Sequence, residues 1–263
     1  MLVDSTNPVN RANPLTNGLR LWMCGHPDLQ RVGGNTWHSL VGELSIPIIQ
    51  SRTSTQWGPF SGGRQGATFN STTNDMLGLE VGTGTEWHFN LSSFTISAYA
   101  VSSSVSNFPY LFVKKASAFS ATMDYGIAIN SNKIRFLYGG TEVGAAHTYD
   151  ALAHTVTGTY DGTTMRTYLD GVEIANGSGP GSVTDNAWLI IGGLRNSSDA
   201  FTGAVDNCML WNRAITPAEV FELDQEMRNE LPTLLNWRTQ HLYVGQESTG
   251  LAGNRRRRLL LSR

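Results

Sequence analysis

The chain has 263 residues, 28 of them glycine, with 15% charged residues and a formal net charge of −2. So little charge gives no general attraction for nucleic acid or anionic membrane. Forty per cent hydrophobic content supports a sizeable core, and many turn formers beside few charges exclude a helical bundle or a disordered chain.

Residues 1–17 are expected to form an irregular arm, broken by Pro8 and Pro14, with neither the basic start nor the apolar run of a secretory leader. No uninterrupted apolar stretch approaches the roughly 20 residues of a membrane-spanning helix, so a soluble chain is expected. Gly18 to Met23 alternates and predicts the first strand. Residues 50–65 are expected to be a polar loop carrying Trp57 and Phe60, and the strands Gly66–Asn70 and Met76–Val81 flank Ser71–Asp75. In the strand Phe94–Val101, Phe94, Ile96, Ala98 and Ala100 share one face, and Thr95, Ser97 and Tyr99 share the other. Pro109–Lys115 continues as a strand.

Tyr125–Ile129 and Lys133–Tyr138 are joined by Asn130-Ser131-Asn132, a compact hairpin signal. The runs His154–Tyr160, Met165–Leu169 and Val172–Ala175 are separated by Asp161-Gly162 and Asp170-Gly171, both turn dipeptides. A loop over Asn176–Gly181 leads to Trp188–Leu194, and Val205–Trp211 reads as the closing strand. Thr216-Pro217-Ala218-Glu219 then opens a helix: Thr216 caps, Pro217 suits the first turn and Glu219 completes a capping box. Val220, Leu223 and Met227 give that helix one apolar stripe. Beyond a short turn at Leu231–Trp237, Arg255–Arg258 precedes Leu259–Leu261, which reads as a docking or solvated tail because no aromatics interleave the arginines.

Gly203, Val205, Asp206, Trp211, Asn212, Arg213, Ala214, Ile215, Glu219 and Val220 follow the order G-x-I/V-D…W/Y-N-R-A-L/I…E-V, which resembles the end of LamG-like (laminin G, concanavalin A-like) jelly-roll domains. Pro14, Leu15, Gly18, Leu19 and Trp22 are similar to the same family's P-L-x-x-G-L-x-x-W opening. His154, Val156, Thr159, Tyr160, Asp161, Gly162, Tyr168, Asp170 and Gly171 match its W-H-H-V…T-Y-D-G…Y-x-D-G run, with Ala153 where tryptophan is usual. Phe69 and Asp75 match its F-D-G-x-x-D-Y hairpin, although the Asp-Gly pair is Asn70-Ser71 here, and His38 and Ser39 stand near the place of a missing acidic residue. The resemblance implies an all-β fold, a two-sheet antiparallel jelly-roll sandwich with one C-terminal helix. It divides the chain into the arm 1–17, the LamG-like domain 18–229 and a basic tail 230–263.

Glu222-Leu223-Asp224-Gln225-Glu226 has the form E-x-D-x-E, similar to the catalytic signature of family 16 glycoside hydrolases, where a strand aims three carboxylates into one cleft. Behind a helix cap, Glu222 and Glu226 instead share a solvated face and Asp224 points elsewhere, so no catalytic residue is assigned. G-x-S-x-G, H-E-x-x-H, C-x-x-C and phosphate-loop motifs are missing. His147 and His154 lie seven apart across a turn with no carboxylate placed to orient either, which argues against zinc. Cys24 and Cys208 are expected to be two buried free thiols.

The resemblance implies calcium as a cofactor, with Asp206, Asp75 and Asn70 as ligands. Trp57, Tyr125, Arg135 and Tyr138 are the glycan candidates, being aromatic plates and a guanidinium donor. An irregular arm, a sandwich, a terminal helix and an Arg-rich end also resemble LamG-like proteins of tailed bacteriophages. That likeness implies a non-enzymatic virion structural or decoration protein, homo-oligomeric or held against capsid or tail proteins, engaging host glycans. The alternatives are a secreted lectin at the bacterial surface and a concanavalin A-like glycoside hydrolase. Neither nucleic acid nor membrane is an expected partner.

Overall fold

The structure is a computed structural model that describes residues 2–3, 8–24, 36–41, 45–47, 56–60, 65–70, 77–102, 110–116, 123–130, 132–148, 150–193, 201–229, 233–235 and 237–238. In chain order its strands are β1 (Leu2–Val3), β2 (Leu19–Cys24), β3 (Thr36–His38), β4 (Ser45–Pro47), β5 (Gln56–Pro59), β6 (Gln65–Phe69), β7 (Leu77–Glu80), β8 (Phe94–Ser102) and β9 (Tyr110–Lys115). They continue with β10 (Met123–Asn130), β11 (Lys133–Tyr138), β12 (Thr141–Ala146), β13 (Ala153–Tyr160), β14 (Thr164–Leu169), β15 (Val172–Ser178), β16 (Trp188–Ile191) and β17 (Gly203–Trp211), then helix α1 (Pro217–Arg228) and β18 (Trp237–Arg238). Among the described residues no helix is long and apolar enough to cross a membrane.

Two antiparallel sheets face each other. One has six strands in the order β12-β11-β10-β9-β16-β7; the other has eight, β15-β14-β13-β8-β17-β6-β5, with β2 also pairing β17. The strand faces follow the sequence alternation: Phe94, Ile96, Ala98 and Ala100 point into the sandwich core, while Tyr99 packs on the opposite side of its sheet. Phe94 anchors the core, stacking on Phe89 at 4.6 Å and meeting Tyr138 edge-on at 4.8 Å. The layers are close enough that a Cβ on Gly158 of β13 would lie 2.4 Å from the Phe136 ring of β11.

The outer face of the eight-stranded sheet is covered by α1 and by Val9, Leu15, Leu234 and Leu235. Thr216 and Glu219 form the capping box expected from sequence, and Val220, Leu223 and Met227 are buried against Trp22, Trp211 and Tyr168. Full burial of each such side chain contributes about 1.5–3 kcal/mol. The arm is stitched in as well: Trp211 Nε1 donates to Leu15 O at 2.7 Å, and Arg213 bridges Asn17 O, Pro14 O and Glu219. Val9 bridges Leu235, β1 pairs β18, and Asn13 donates to Thr233 Oγ1. Arm and tail thus begin side by side.

Two expectations are corrected, and one strand appears that the sequence reading did not include. Residues 56–59 are a strand, not part of a polar loop, because the backbone of β5 completes the ladder beside β6. β6 and β7 do not form a hairpin: the first lies in the eight-stranded sheet and the second pairs β16 in the other. β12, rich in Gly and Ala with weak strand propensity, forms because the Gly139-Gly140 turn, with φ of 52° and 80°, folds it onto β11.

Cys24 and Cys208 are both buried thiols outside any disulfide, as expected. They lie on neighbouring strands but pack into clusters on opposite sides of the sheet.

Candidate functional site

At one end of the sandwich, four polar side chains meet above the apolar core. Every residue of β9 is buried, including Lys114 and Lys115. Lys114 lies opposite Tyr125 and Leu189, which face the core. Asp124 enters through a β-bulge in β10, where the register jumps from Met123↔Lys115 to Tyr125↔Lys114. A bulge leaves one residue outside the ladder and re-aims its side chain. His88 comes from the connection between β7 and β8, and Asp185 from the segment before β16.

Lys114 Nζ donates to Asp124 Oδ2 at 3.2 Å and to Asp185 Oδ1 at 2.8 Å, while His88 Nδ1 lies 2.9 Å from the same Asp124 oxygen. The Gly84 backbone N–H also donates to Asp185. Asp124 is fully buried, and its Oδ1 has no hydrogen-bond partner among the described residues. His88 and Asp185 keep 14% and 22% of their side chains exposed, so the cluster opens to solvent through those two groups. Burial raises the Asp124 carboxyl above its ordinary range despite the opposing pull of His88 and Lys114. Asp185 is also penalised by burial, but the Gly84 N–H and the Lys114 ammonium outweigh it and hold its carboxyl low. Trp188, partly buried on the outer face of the same sheet, lies opposite Lys115 and Glu80 and three residues from Asp185.

A second polar network lies at the open end of β13. His154 Nδ1 donates to Asp170 Oδ2 at 2.7 Å, and Nε2 reaches Asp150 Oδ1 at 2.9 Å. Asp170 and Gly171 are the central pair of the β14–β15 hairpin, with φ of 52° and 79°, a left-handed pair that Asp-Gly accommodates. Thr155 N and the Arg228 guanidinium hold the other Asp170 oxygen, and Arg228 also clasps Asp224, which accepts from Thr155 Oγ1. The His147 ring stands edge-on to His154 at 5.1 Å. The expectation that no carboxylate orients these histidines is corrected: Asp170 orients His154, brought there by a hairpin that sequence spacing cannot reveal. Among the described residues, the groups of three whose ligand atoms lie within 4.8 Å of one another are His147, Asp150 and His154, and His88, Asp124 and Asp185.

Residues 61–221 match the family model described as the concanavalin A-like lectin/glucanases superfamily, of the laminin G type. The chain belongs to this superfamily. No curated protein matches the chain. Among solved structures it is similar to Trypanosoma rangeli sialidase in complex with a difluoro-KDN, at TM-score 0.59 and 17% identity over 84% of this chain and 36% of that one. It is also similar to the binding domain of botulinum neurotoxin DC in complex with SialylT, at TM-score 0.57 and 13% identity over 81% of this chain and 52% of that one. The chain thus spans about a third to a half of these structures, and identities this low establish the shared fold alone.

Within this superfamily fold, the residues singled out from sequence take other places. Tyr125 and Tyr138 are fully buried in the core and offer no sugar platform. Alternation turns them inward, where their hydroxyls hold the loop that carries His88: Tyr125 donates to Trp87 O at 3.1 Å, and Leu91 N donates to Tyr138 at 2.8 Å. Burial raises both phenols well above their ordinary range. Arg135 lies on the outer face of β11, where it pairs with Glu142 at 2.7 Å. The Trp57 side chain and the whole of Asp75 lie outside the described residues.

Asp206 is fully buried at the bulge where β17 changes partner from β6 to β2, and it accepts from Asn207 Nδ2. Asn70 follows the other end of the β6–β17 ladder. At strand spacing the two lie about 13 Å apart, so they do not share one ion. The E-x-D-x-E segment is helical, as expected, but of its three carboxylates only Glu222 is exposed. Asp224 pairs with Arg228, and Glu226 accepts from Thr233 and Leu234 N–H groups, so these two are buried structural carboxylates rather than solvated ones. The residues sequence reasoning missed are His88, Lys114, Asp124 and Asp185. The available signal was the Lys114-Lys115 pair closing an otherwise apolar strand.

Proposed function

We propose that this chain is a non-catalytic glycan-binding module that takes neutral sugar hydroxyls at His88, Lys114, Asp124 and Asp185. The observation carrying this reading is the buried Asp124 Oδ1 that lacks a donor among the described residues. A buried acceptor left unsatisfied costs about 1–3 kcal/mol, and a sugar hydroxyl supplies the missing donor while accepting from Lys114 or His88. Two carboxylates against one ammonium disfavour an anionic sugar. The shared fold supports carbohydrate as the ligand class, and the charge balance supports a neutral one.

The test is calorimetric titration with ligands chosen from a glycan array, on the intact chain and on His88→Ala and Asp185→Asn. Binding of a neutral oligosaccharide weakened at least about tenfold in both variants is expected, since each loses a hydrogen bond to a charged group. Binding unchanged in both variants, or confined to sialylated glycans, overturns the site.

One observation favours glycoside hydrolysis as a second reading. Asp124 and Asp185 are pushed in opposite directions, the pattern of an acid and a base. Lys114 lies between them, however, in the gap a glycosidic oxygen would need. Reducing-sugar release that Asp124→Asn abolishes would establish the hydrolase instead.

The same proposal makes the module a component of a larger surface assembly, such as a virion. Its support is that arm and tail start together over the eight-stranded sheet, so attachment through the ends leaves the opposite sheet facing outward. A chain that sediments as a monomer and co-purifies with no particle removes this part alone.

A further inference from the structure

We propose that His147, Asp150 and His154 form a binding site for one divalent cation of the zinc class, separate from the glycan cluster. Each residue offers one ligand atom, and these atoms all lie within 4.8 Å of one another. Tetrahedral zinc, with nitrogen and oxygen ligands near 2.1 Å, needs them about 3.4 Å apart, a contraction within the reach of an exposed connection between β12 and β13.

The surrounding groups are already arranged for ligation. A metal-bound imidazole is commonly held by a carboxylate on its other nitrogen, which fixes the tautomer and the ring plane. Asp170 does this for His154 at Nδ1, and is itself held by Thr155 N at 3.0 Å and by Arg228 at 2.6 Å. His154 Nε2 is thereby aimed at Asp150 Oδ1. The His147 ring makes no hydrogen bond among the described residues and stands edge-on to His154 at 5.1 Å. Asp150 keeps 40% of its side chain exposed, so water has access to a fourth coordination position.

Two imidazoles and one carboxylate suit zinc and its neighbours, not calcium or magnesium, which prefer all-oxygen sets. On binding, the cation takes the Nε2 lone pair of His154, and the proton held there leaves to solvent. Bound metal would fasten the β12–β13 connection to the Asp170-Gly171 hairpin and, through Arg228, to α1.

The test uses the full chain stripped with chelator and titrated calorimetrically with Zn2+ alone, with Co2+ absorption reporting the coordination geometry. One equivalent of Zn2+ should bind at micromolar concentration or below, with a tetrahedral Co2+ spectrum and no comparable uptake of Ca2+. His147→Ala removes no described hydrogen bond of that ring, so it should leave the metal-free urea midpoint unchanged and abolish stoichiometric binding. Asp170→Asn should weaken Zn2+ by about 10- to 100-fold. His88→Ala should leave the titration unchanged, which separates this site from the glycan cluster. No zinc uptake, or uptake that survives both His147→Ala and Asp150→Ala, overturns the proposal.

Discussion

The two polar clusters use nearly the same residue types and end in different states. In the network around Asp170, both oxygens of Asp170 and of Asp224 have partners in Thr155, His154 or Arg228. In the cluster around Lys114, the ammonium is fully buried between two carboxylates, yet Asp124 keeps one oxygen without a donor among the described residues. A closed set of hydrogen bonds stabilises the fold, whereas an incomplete one leaves a polar atom that a ligand can satisfy. That difference, rather than the presence of His and Asp, is what supports the Lys114 cluster as the proposed glycan site, while the proposed metal ligands His147, Asp150 and His154 lie at the outer end of the Asp170 network.

Removing the central cation is the most severe way to break the contrast. Lys114→Met keeps the volume but leaves two adjacent carboxylates uncompensated, one of them fully buried, and should cost about 3–5 kcal/mol in urea unfolding. A cost below 1 kcal/mol would mean that water already solvates the cluster. Asp224→Ala, in the closed network, strips Thr155 Oγ1 and Arg228 of their shared acceptor and should cost about 2 kcal/mol by the same measurement. Tyr138→Phe leaves Leu91 N without its acceptor, in a loop where Asn90 and Leu91 have φ of 40° and 65°. It should cost about 1 kcal/mol and weaken glycan binding through His88, whereas a purely core role would leave binding unchanged.

The pH dependence sharpens the comparison further. The hydrogen bond from Asp170 raises the His154 proton affinity against the opposing effect of burial, while Asp170, penalised by burial, is held low by His154 and Thr155 N. The raised histidine contributes stability below its unfolded pKa, lost as pH rises through the folded value. The depressed carboxylate contributes above its own unfolded pKa, lost as pH falls through the folded value. The pair is therefore worth most between about pH 4 and 6.5. Urea midpoints of the chain and of His154→Gln, taken with chelator present, should differ most in that window and converge on both sides of it. The smallest effect belongs to Glu222→Gln on the exposed side of α1, expected within about 0.5 kcal/mol of the unaltered chain.

Much of the architecture was legible because it is written in local patterns. The alternation of Phe94, Ile96, Ala98 and Ala100 chose a core face, Asp161-Gly162 and Asp170-Gly171 marked turns, and Thr216 with Glu219 announced the helix. The same alternation misled where exposure was at issue. Tyr125 and Tyr138 carry polar tips, but a strand covered by a second layer turns such tips toward a loop backbone instead of water. β12 was illegible because Gly and Ala carry almost no strand preference of their own; its backbone approaches β11 so closely that a Cβ on Gly144 would lie 2.2 Å from Ile134 O.

By itself, then, the sequence determined the class of fold, the facing of most strands, the hairpins and the capped helix, since each depends on residues within a few positions of one another. Only the tertiary structure decided which charges meet. Asp124 reaches Lys114 because one extra residue in β10 turns it out of the ladder, and Asp206 is buried because β17 changes partner there. A one-residue shift of register reverses where a side chain points. His88, Lys114, Asp124 and Asp185 come from four separate segments whose registers must all be set before the cluster exists.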